Sequence, residues 1–448
     1  MAQTLKAAQP RSTASSVEVE ETVAAIIAAV RANGDSAVRE WSEKLDSWAP
    51  PSFLLSEKEL GEIVRGLPAT VVEDLEYVQK QVWNFARCQL GSLHDFEVEV
   101  SPGVRLGQRN IPVAAAGAYI PGGRYALTAS AHMTIVTAKA ANVGRVAACT
   151  PPIRGELPLV TLAAMQIGGA DEVYVLGGVQ AVAALALGTE TIAPVDLMTG
   201  PGNAFVAEAK RQLYGEVGID LVAGPTEILV IADESADAFV VAVDLLSQAE
   251  HGPDSPAVLV TTSETLARQV IAYVDQLLPT MPTRDLAAPA WRDHGQVIVA
   301  GSLEEAYVVA DELAFEHVEV LTEEPRKALE SLSNYGALFL GEGTCVSYGD
   351  KVIGTNHVLP TRRGARYTGG LWVGKFLKTV TYQEVTDLTA SGRLGELCGR
   401  VARVEGFEGH ARSGDVRAHK SFGSPLEWSP VVSSDEVTTD GATLDRDR

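Results

Sequence analysis

Two hydrophobic periods divide the chain. In the first ninety residues apolar positions recur every three or four places. Val23, Ile26, Ile27 and Val30 form such a stripe, Asn33-Gly34 closes it, and Asp35 can cap a second helix running to about residue 45. A further helical region is predicted over 56–90. From residue 110 the pattern becomes short aliphatic runs at 112–120, 145–150, 172–176, 195–199 and 219–222. Each is followed by Gly or Pro and then by an amphipathic or Ala-rich stretch. The same texture recurs at 228–232, 257–262, 296–300, 318–321 and 337–340. Continuous aliphatic strands alternating with helices imply mostly parallel sheets covered on both faces.

The predicted fold class is therefore α/β, with two Rossmann-like parallel-sheet domains lacking the usual GxGxxG and with helical N- and C-terminal segments. The expected organisation is a flexible N-terminus (1–16), a helical region (17–118) and a first, NAD-binding α/β domain (119–227). A second α/β domain (228–371) follows, then a C-terminal helical dimerisation segment (372–429) and a disordered acidic tail (430–448).

Charge narrows the function. The 448 residues carry 58 acids against 36 bases, a net charge of −22, which argues against nucleic acid or an anionic membrane as partner. No apolar h-region and no membrane-length apolar run is seen, so a cytoplasmic enzyme is expected. Cys88, Cys149, Cys345 and Cys398 make no CxxC and read as free thiols in a reducing compartment.

Six segments bear chemistry. In GAYIPGGRYALTASAHM (117–133) a strand leads through a glycine turn toward a helix start, where backbone N–H groups would face an anion; an ordinary βα turn reads equally well. LMTGPGNAFVAEAKRQL (197–213) repeats the arrangement but has Phe205 in place of the third glycine of the dinucleotide fingerprint. Asp220 lies near the spacing of a ribose-binding acid, which reads as coincidence. In VDLLSQAEHGPDSP (243–256), Gln248 and His251 share a helix face and could converge on a metal, although a helix-capping histidine competes. Glu316 and His317 are an adjacent acid and base that could divide proton transfer and water activation; a solvated pair is the plainer alternative. SYGDKVIGTNHVLPT (347–361) is a polar loop with Asp350 and His357 whose ordering favours a binding role. EGFEGHARSGDVRAHK (405–420) carries Glu405 and His410 on what reads as a surface helix.

Taken together, YIPGG, GGVQAVAALALGTE, GPGNAF, AGPTEI, LLSQAEHGPDS, EH, GDKVIGTNHVLPT and EGFEGH resemble the histidinol dehydrogenase family from about residue 20 to 420. The resemblance implies a zinc- and NAD-dependent dehydrogenase that oxidises a small polar primary alcohol to the carboxylate in two hydride transfers. It implies zinc held by Gln248, His251, Asp350 and His410, with Glu316 and His317 as the catalytic pair. Tyr119, Gln180 and Asn203 would contact NAD. Thr226, His357 and Glu405 would face the substrate together with His317 and the four metal ligands. It also implies a homodimer whose C-terminal segment reaches into the partner's site.

This chain departs from the family pattern at Thr226, Arg124-Tyr125, His132 and Leu187. Its RYA and GGLWVGKFLKTVT wording is closer to a sulfopropanediol dehydrogenase-like branch, for which Arg124, Arg362, Arg363 and Arg366 could supply cations. Two other classes share some of these features, a zinc-dependent hydrolase and a non-catalytic binding protein on the same fold. The first has no use for two nucleotide-type turns, and the second would be expected to have lost Glu316 or a metal ligand.

Overall fold

The computed structural model describes residues 2–9, 17–122 and 127–428. By its contacts the chain separates into two compact units. The first comprises residues 1–93 and 111–378, the second 94–110 and 379–448.

The first unit holds both α/β sheets. One has five parallel strands, Ala115–Tyr119, Arg145–Thr150, Glu172–Val175, Leu197–Thr199 and Gly218–Ile219, arranged in the order third, second, first, fourth, fifth. The other repeats that order with Ile228–Ala232, Ala257–Thr261, Gln296–Val299, His317–Leu321 and Ala337–Leu340. Ile228–Ala232 and Ala257–Thr261 are buried at every position, which is why they read as unbroken aliphatic runs. The predicted strands are thus present, with ends that differ from the prediction by up to three residues.

The N-terminal helices also follow the pattern. Val17–Asp46 is broken at Gly34, whose φ of 50° and ψ of −131° are non-helical. Glu57–Gly66 starts with a capping box between Ser56 and Glu59, and Ala69–Gly91 follows.

Two expectations are corrected. Residues 1–16 are not wholly flexible, because Gln3–Lys6 adds an antiparallel strand to the edge strand Gln296–Val299. The free backbone of that edge supplies the partners, and the Lys6 ammonium donates to the Gly295 carbonyl at 2.6 Å. Residues 10–16 and 429–448, including the expected acidic tail, lie outside the described residues. Nor are the expected helical regions 17–118 and 372–429 helical throughout. Phe96–Ser101 and Val104–Pro112 form an antiparallel hairpin that Leu377–Val385 extends into a three-stranded sheet.

The second unit combines most of this sheet with two helices, Leu388–Val404 and Glu408–Phe422. Glycines let the two helices approach closely: a Cβ on Gly395 would lie 2.4 Å from the Gly414 carbonyl oxygen. Leu394, Leu397, Val401 and Val404 recur at helical spacing on an exposed face. All four cysteines are free, and no helix among the described residues is long and apolar enough to cross a membrane.

Candidate active site

The two sheets meet the site with opposite edges. In the first sheet the strands Ala115–Tyr119 and Leu197–Thr199 are neighbours at the point where strand order reverses. Their carboxyl ends run into Pro121-Gly122 and Gly200-Pro201-Gly202-Asn203. Gly200 has φ +113°, and a Cβ there would come within 2.1 Å of the Tyr119 carbonyl oxygen, so this turn needs glycine. Asn203 caps the helix Ala204–Leu213 by accepting from the N–H groups of Phe205 and Val206.

The second sheet offers its amino edge. Glu316 immediately precedes the strand His317–Leu321, and Thr226-Glu227 immediately precede Ile228–Ala232. A cavity of about 460 Å³ is lined by both edges, with Pro121, Gly202 and Asn203 on one wall and Thr226, Glu316 and His317 on the other.

His317 is 2% exposed. Its Nδ1 lies 3.0 Å from the Glu227 carbonyl oxygen. A carbonyl can only accept, so Nδ1 carries the proton and Nε2 keeps its lone pair. That Nε2 is buried without a hydrogen-bond partner among the described residues. Burial is the main cause that lowers the His317 pKa, to about 4, so the ring is a neutral base near pH 7.

Glu316 accepts on Oε2 from the Thr226 hydroxyl at 2.8 Å and from the Glu227 N–H at 3.2 Å. Burial, the largest influence, pushes its pKa well above the usual carboxylate range, while those two donors oppose the shift.

Asp350, on the helix Val346–Lys351, gathers three imidazoles. Its carboxylate is 3.7 Å from His317 Nε2, 3.9 Å from His251 Nε2 and 3.8 Å from His357 Nδ1. His357 Nδ1 donates to the Asp350 carbonyl oxygen at 3.1 Å. Gln248 and His251 sit at the C-terminal end of the helix Ala238–Ala249, and with Asp350 they line an adjoining cavity of about 590 Å³. The Gln248 side-chain oxygen is buried and unpartnered, and burial is the first cause that lowers the His251 pKa. A neutral imidazole, a carboxylate and an orphaned amide oxygen are donors that suit zinc. Among the described residues no three His, Cys, Asp or Glu side chains form a metal-holding group by themselves.

Comparison with known proteins matches this arrangement to one family. Residues 9–418 match the histidinol dehydrogenase family. A histidinol dehydrogenase homolog of Shouchella clausii is 56% identical over 90% of this chain and 95% of its own length. The sulfopropanediol 3-dehydrogenase of Ruegeria pomeroyi is 46% identical over 93% of this chain and 96% of its own. The crystal structure of histidinol dehydrogenase from Elizabethkingia anophelis superposes with a TM-score of 0.86 at 30% identity, covering 92% of this chain and 94% of that one. The chain belongs to the histidinol dehydrogenase family. It is thus an NAD-dependent oxidoreductase by family.

Of the residues that the family pattern singles out, Thr226, Glu316, His317, His251, Asp350, His357 and Asn203 line one cavity, and Gln248 lines its neighbour. Tyr119 and Gln180 lie together at a third glycine turn. The Tyr119 hydroxyl accepts from the Gly178 N–H at 3.2 Å, and a Cβ on Gly178 would meet the Gln180 side-chain oxygen at 2.6 Å. That Gln180 oxygen is buried and unpartnered. Glu405 and His410 belong to the second unit, where both are exposed.

Arg124 lies outside the described residues. Arg363 and Arg366 line a separate cavity of about 430 Å³ with Glu304, Tyr307 and Asp311. Arg362 packs its side chain over Gly224 and donates its N–H to the Glu227 carboxylate at 3.1 Å.

Sequence reasoning missed four contributors. Thr361 accepts from the Gly224 N–H, Glu227 ties the acid and base together, and Asn356 donates to the Met133 carbonyl oxygen at 2.9 Å. Gln79 donates to His132 Nδ1 at 3.0 Å, where a π-helical turn, His132–Val136, begins. Only His132 left a signal, as a departure from the family pattern.

Proposed function

We propose that the protein is a zinc- and NAD-dependent dehydrogenase that oxidises a small polar primary alcohol to the carboxylate in two hydride-transfer steps. The alcohol is of sulfopropanediol or L-histidinol type. The observation that carries this reading is the shared cavity: a dry acid–base pair on one wall, glycine turns at a strand-order switch point on the other. The donors present fit both cofactors. The buried, unpartnered oxygen of Gln248, with His251 and Asp350, suits a zinc ion; the glycine turns and the orphaned Gln180 oxygen suit a dinucleotide. When bound, NAD would accept hydride and zinc would hold the substrate in place.

The chain's own residues supply the proton chemistry. His317 Nε2, free and unprotonated, accepts the alcohol proton, and the Glu227 carbonyl holds the ring in the required tautomer. The aldehyde stays in the cavity for the second step. There, once His317 has released the first proton to solvent, Glu316, oriented by Thr226 and the Glu227 N–H, works with His317 to take a proton from water as it adds to the carbonyl. Asp350, Gln248 and His251 orient the substrate and hold the metal.

The second unit supports a homodimer. The exposed stripe Leu394, Leu397, Val401 and Val404 needs cover, and Glu405 and His410 project from the same unit to complete the partner's site with a fourth metal ligand.

The test is NADH absorbance on mixing protein and NAD with each of the two alcohols. Chelation should abolish turnover and zinc should restore it. Full turnover in zinc-free protein removes the metal assignment, and no NADH with either alcohol removes the substrate class.

A further inference from the structure

Beneath the Gly200 turn lies a buried ion pair that the chemistry above does not use. Lys210, on the helix Ala204–Leu213, pairs with Asp220, just past the strand Gly218–Ile219; their side chains are 4% and 0% exposed. Both are also tied to one peptide unit. The Gly200 N–H donates to Asp220 Oδ2 at 2.8 Å, and the Lys210 ammonium donates to the Gly200 carbonyl oxygen at 2.9 Å. Asp220 is itself fixed, since its other oxygen accepts from the Leu221 N–H at 2.6 Å and its own N–H donates to Met198.

Direct ligand roles do not fit these residues. The spacing of Asp220 resembles that of a ribose-binding acid, but both of its oxygens are engaged inside the protein and the residue is 3% exposed. The Lys210 ammonium is likewise enclosed and occupied, so it is not a phosphate cation. A purely stabilising role is also a poor account. A buried ion pair is commonly no more stabilising than an apolar pair of similar volume. What the pair supplies and an apolar pair cannot is two directional bonds, one to each side of the Gly200 residue.

We propose that Lys210 and Asp220 are positioning residues for cofactor binding. By holding the N–H and C=O of Gly200 inward, at a φ of +113°, they present Pro201, Gly202 and Asn203 to the cavity in the orientation that receives the dinucleotide. This rests on the reading that NAD binds at the carboxyl edge of the first sheet.

The test uses the full-length protein and NAD itself. The double variant Lys210→Met/Asp220→Asn removes both buried charges together, avoiding the cost of leaving one unpaired. It should unfold at nearly the wild-type temperature. NAD affinity, read by fluorescence quenching without alcohol, should weaken on the order of tenfold or more, the loss expected for charge-assisted hydrogen bonds. The KM for NAD should rise with it, while kcat at saturating NAD and the KM for alcohol stay nearly unchanged. A folded double variant that binds NAD as tightly as wild type overturns the proposal. Should the variant not fold, the wild type decides: NAD should slow amide exchange in the segment 198–213, and unchanged exchange there in NAD-bound protein overturns it. Wild type that binds no NAD at all would instead overturn the cofactor reading beneath it.

Discussion

The two sheets of the first unit share a strand order yet do opposite jobs, and the difference lies in which edge each turns to the cavity. At the carboxyl edge of a parallel sheet the chain enters helices, so N–H groups and the positive ends of helix dipoles face outward. The Gly200–Asn203 turn and the helix Ala204–Leu213 are such an edge, suited to a phosphate. At the amino edge the chain leaves helices, and carbonyl groups and negative dipole ends face outward. Gln248 and His251 stand at that end of Ala238–Ala249, suited to a cation. On the function proposed above, one topology used from its two edges would sort an anionic cofactor from a metal and place the His317 base between them. The amino edge also carries the titrating chemistry, since Glu316 and His317 are delivered by the start of a strand and are dry there.

Breaking the amino edge should have the largest effect. His317→Gln keeps a polar side chain of similar reach but removes the base, so alcohol oxidation should fall by roughly 10²–10⁴-fold, the usual contribution of a general base. NAD affinity should hold, because the carboxyl edge of the other sheet is untouched. A matching loss of NAD binding would mean the two edges do not divide the work.

A smaller effect should come from Glu316→Gln. The amide can still accept from Thr226 and the Glu227 N–H, so the site keeps its shape. Added aldehyde should be oxidised about a hundredfold more slowly, while the first alcohol step suffers less, since only the second step activates water. Single-turnover measurements of the two half-reactions separate them, and equal losses would merge the two roles into one.

The same contrast explains what was legible in the sequence. Strands buried on both faces must be aliphatic throughout, so Ile228–Ala232 and Ala257–Thr261 announced themselves, and the two sheets with them. Gln3–Lys6 joins its sheet through backbone pairing at an edge, which puts little demand on side chains and leaves no pattern. Phe96–Ser101 does alternate, as FEVEVS, but all six residues are exposed, so the signal of a half-buried strand was lost inside a helical reading. In the site, adjacent pairs such as Glu316-His317 could be found by inspection. The long-range contacts that shape the site could not: Thr226 lies 90 residues from Glu316, Arg362 lies 135 from Glu227, and Asn356 lies 223 from the Met133 carbonyl it satisfies. No spacing rule links such residues; only the crossover topology brings them together.

The finest test of the division uses two buried imidazoles, one in each sheet's half. His317 at the catalytic edge and His132 beside the first sheet both have pKa values lowered to about 4, chiefly by burial. The protonation of His317 switches off a base, whereas that of His132 should cost only stability. A histidine with a folded pKa of about 4 and an unfolded value of 6.5 favours the neutral form on folding. Between those pH values the unfolded chain binds more protons, so the contribution is fully present above pH 6.5 and drains away as pH falls toward 4. The gap corresponds to on the order of 3 kcal/mol. His132→Leu should therefore flatten the fall in unfolding temperature from pH 6.5 to 4. Near pH 7 it should shift stability by only about 1 kcal/mol, since it removes the Gln79 hydrogen bond but leaves Gln79 bonded to the Ala164 carbonyl oxygen. The acid limb of the pH–rate profile should stay where it is, because it belongs to His317. If that limb moved with the stability curve, His132 would be part of the catalytic edge, and the separation between the two halves would be less complete than their opposite edges suggest.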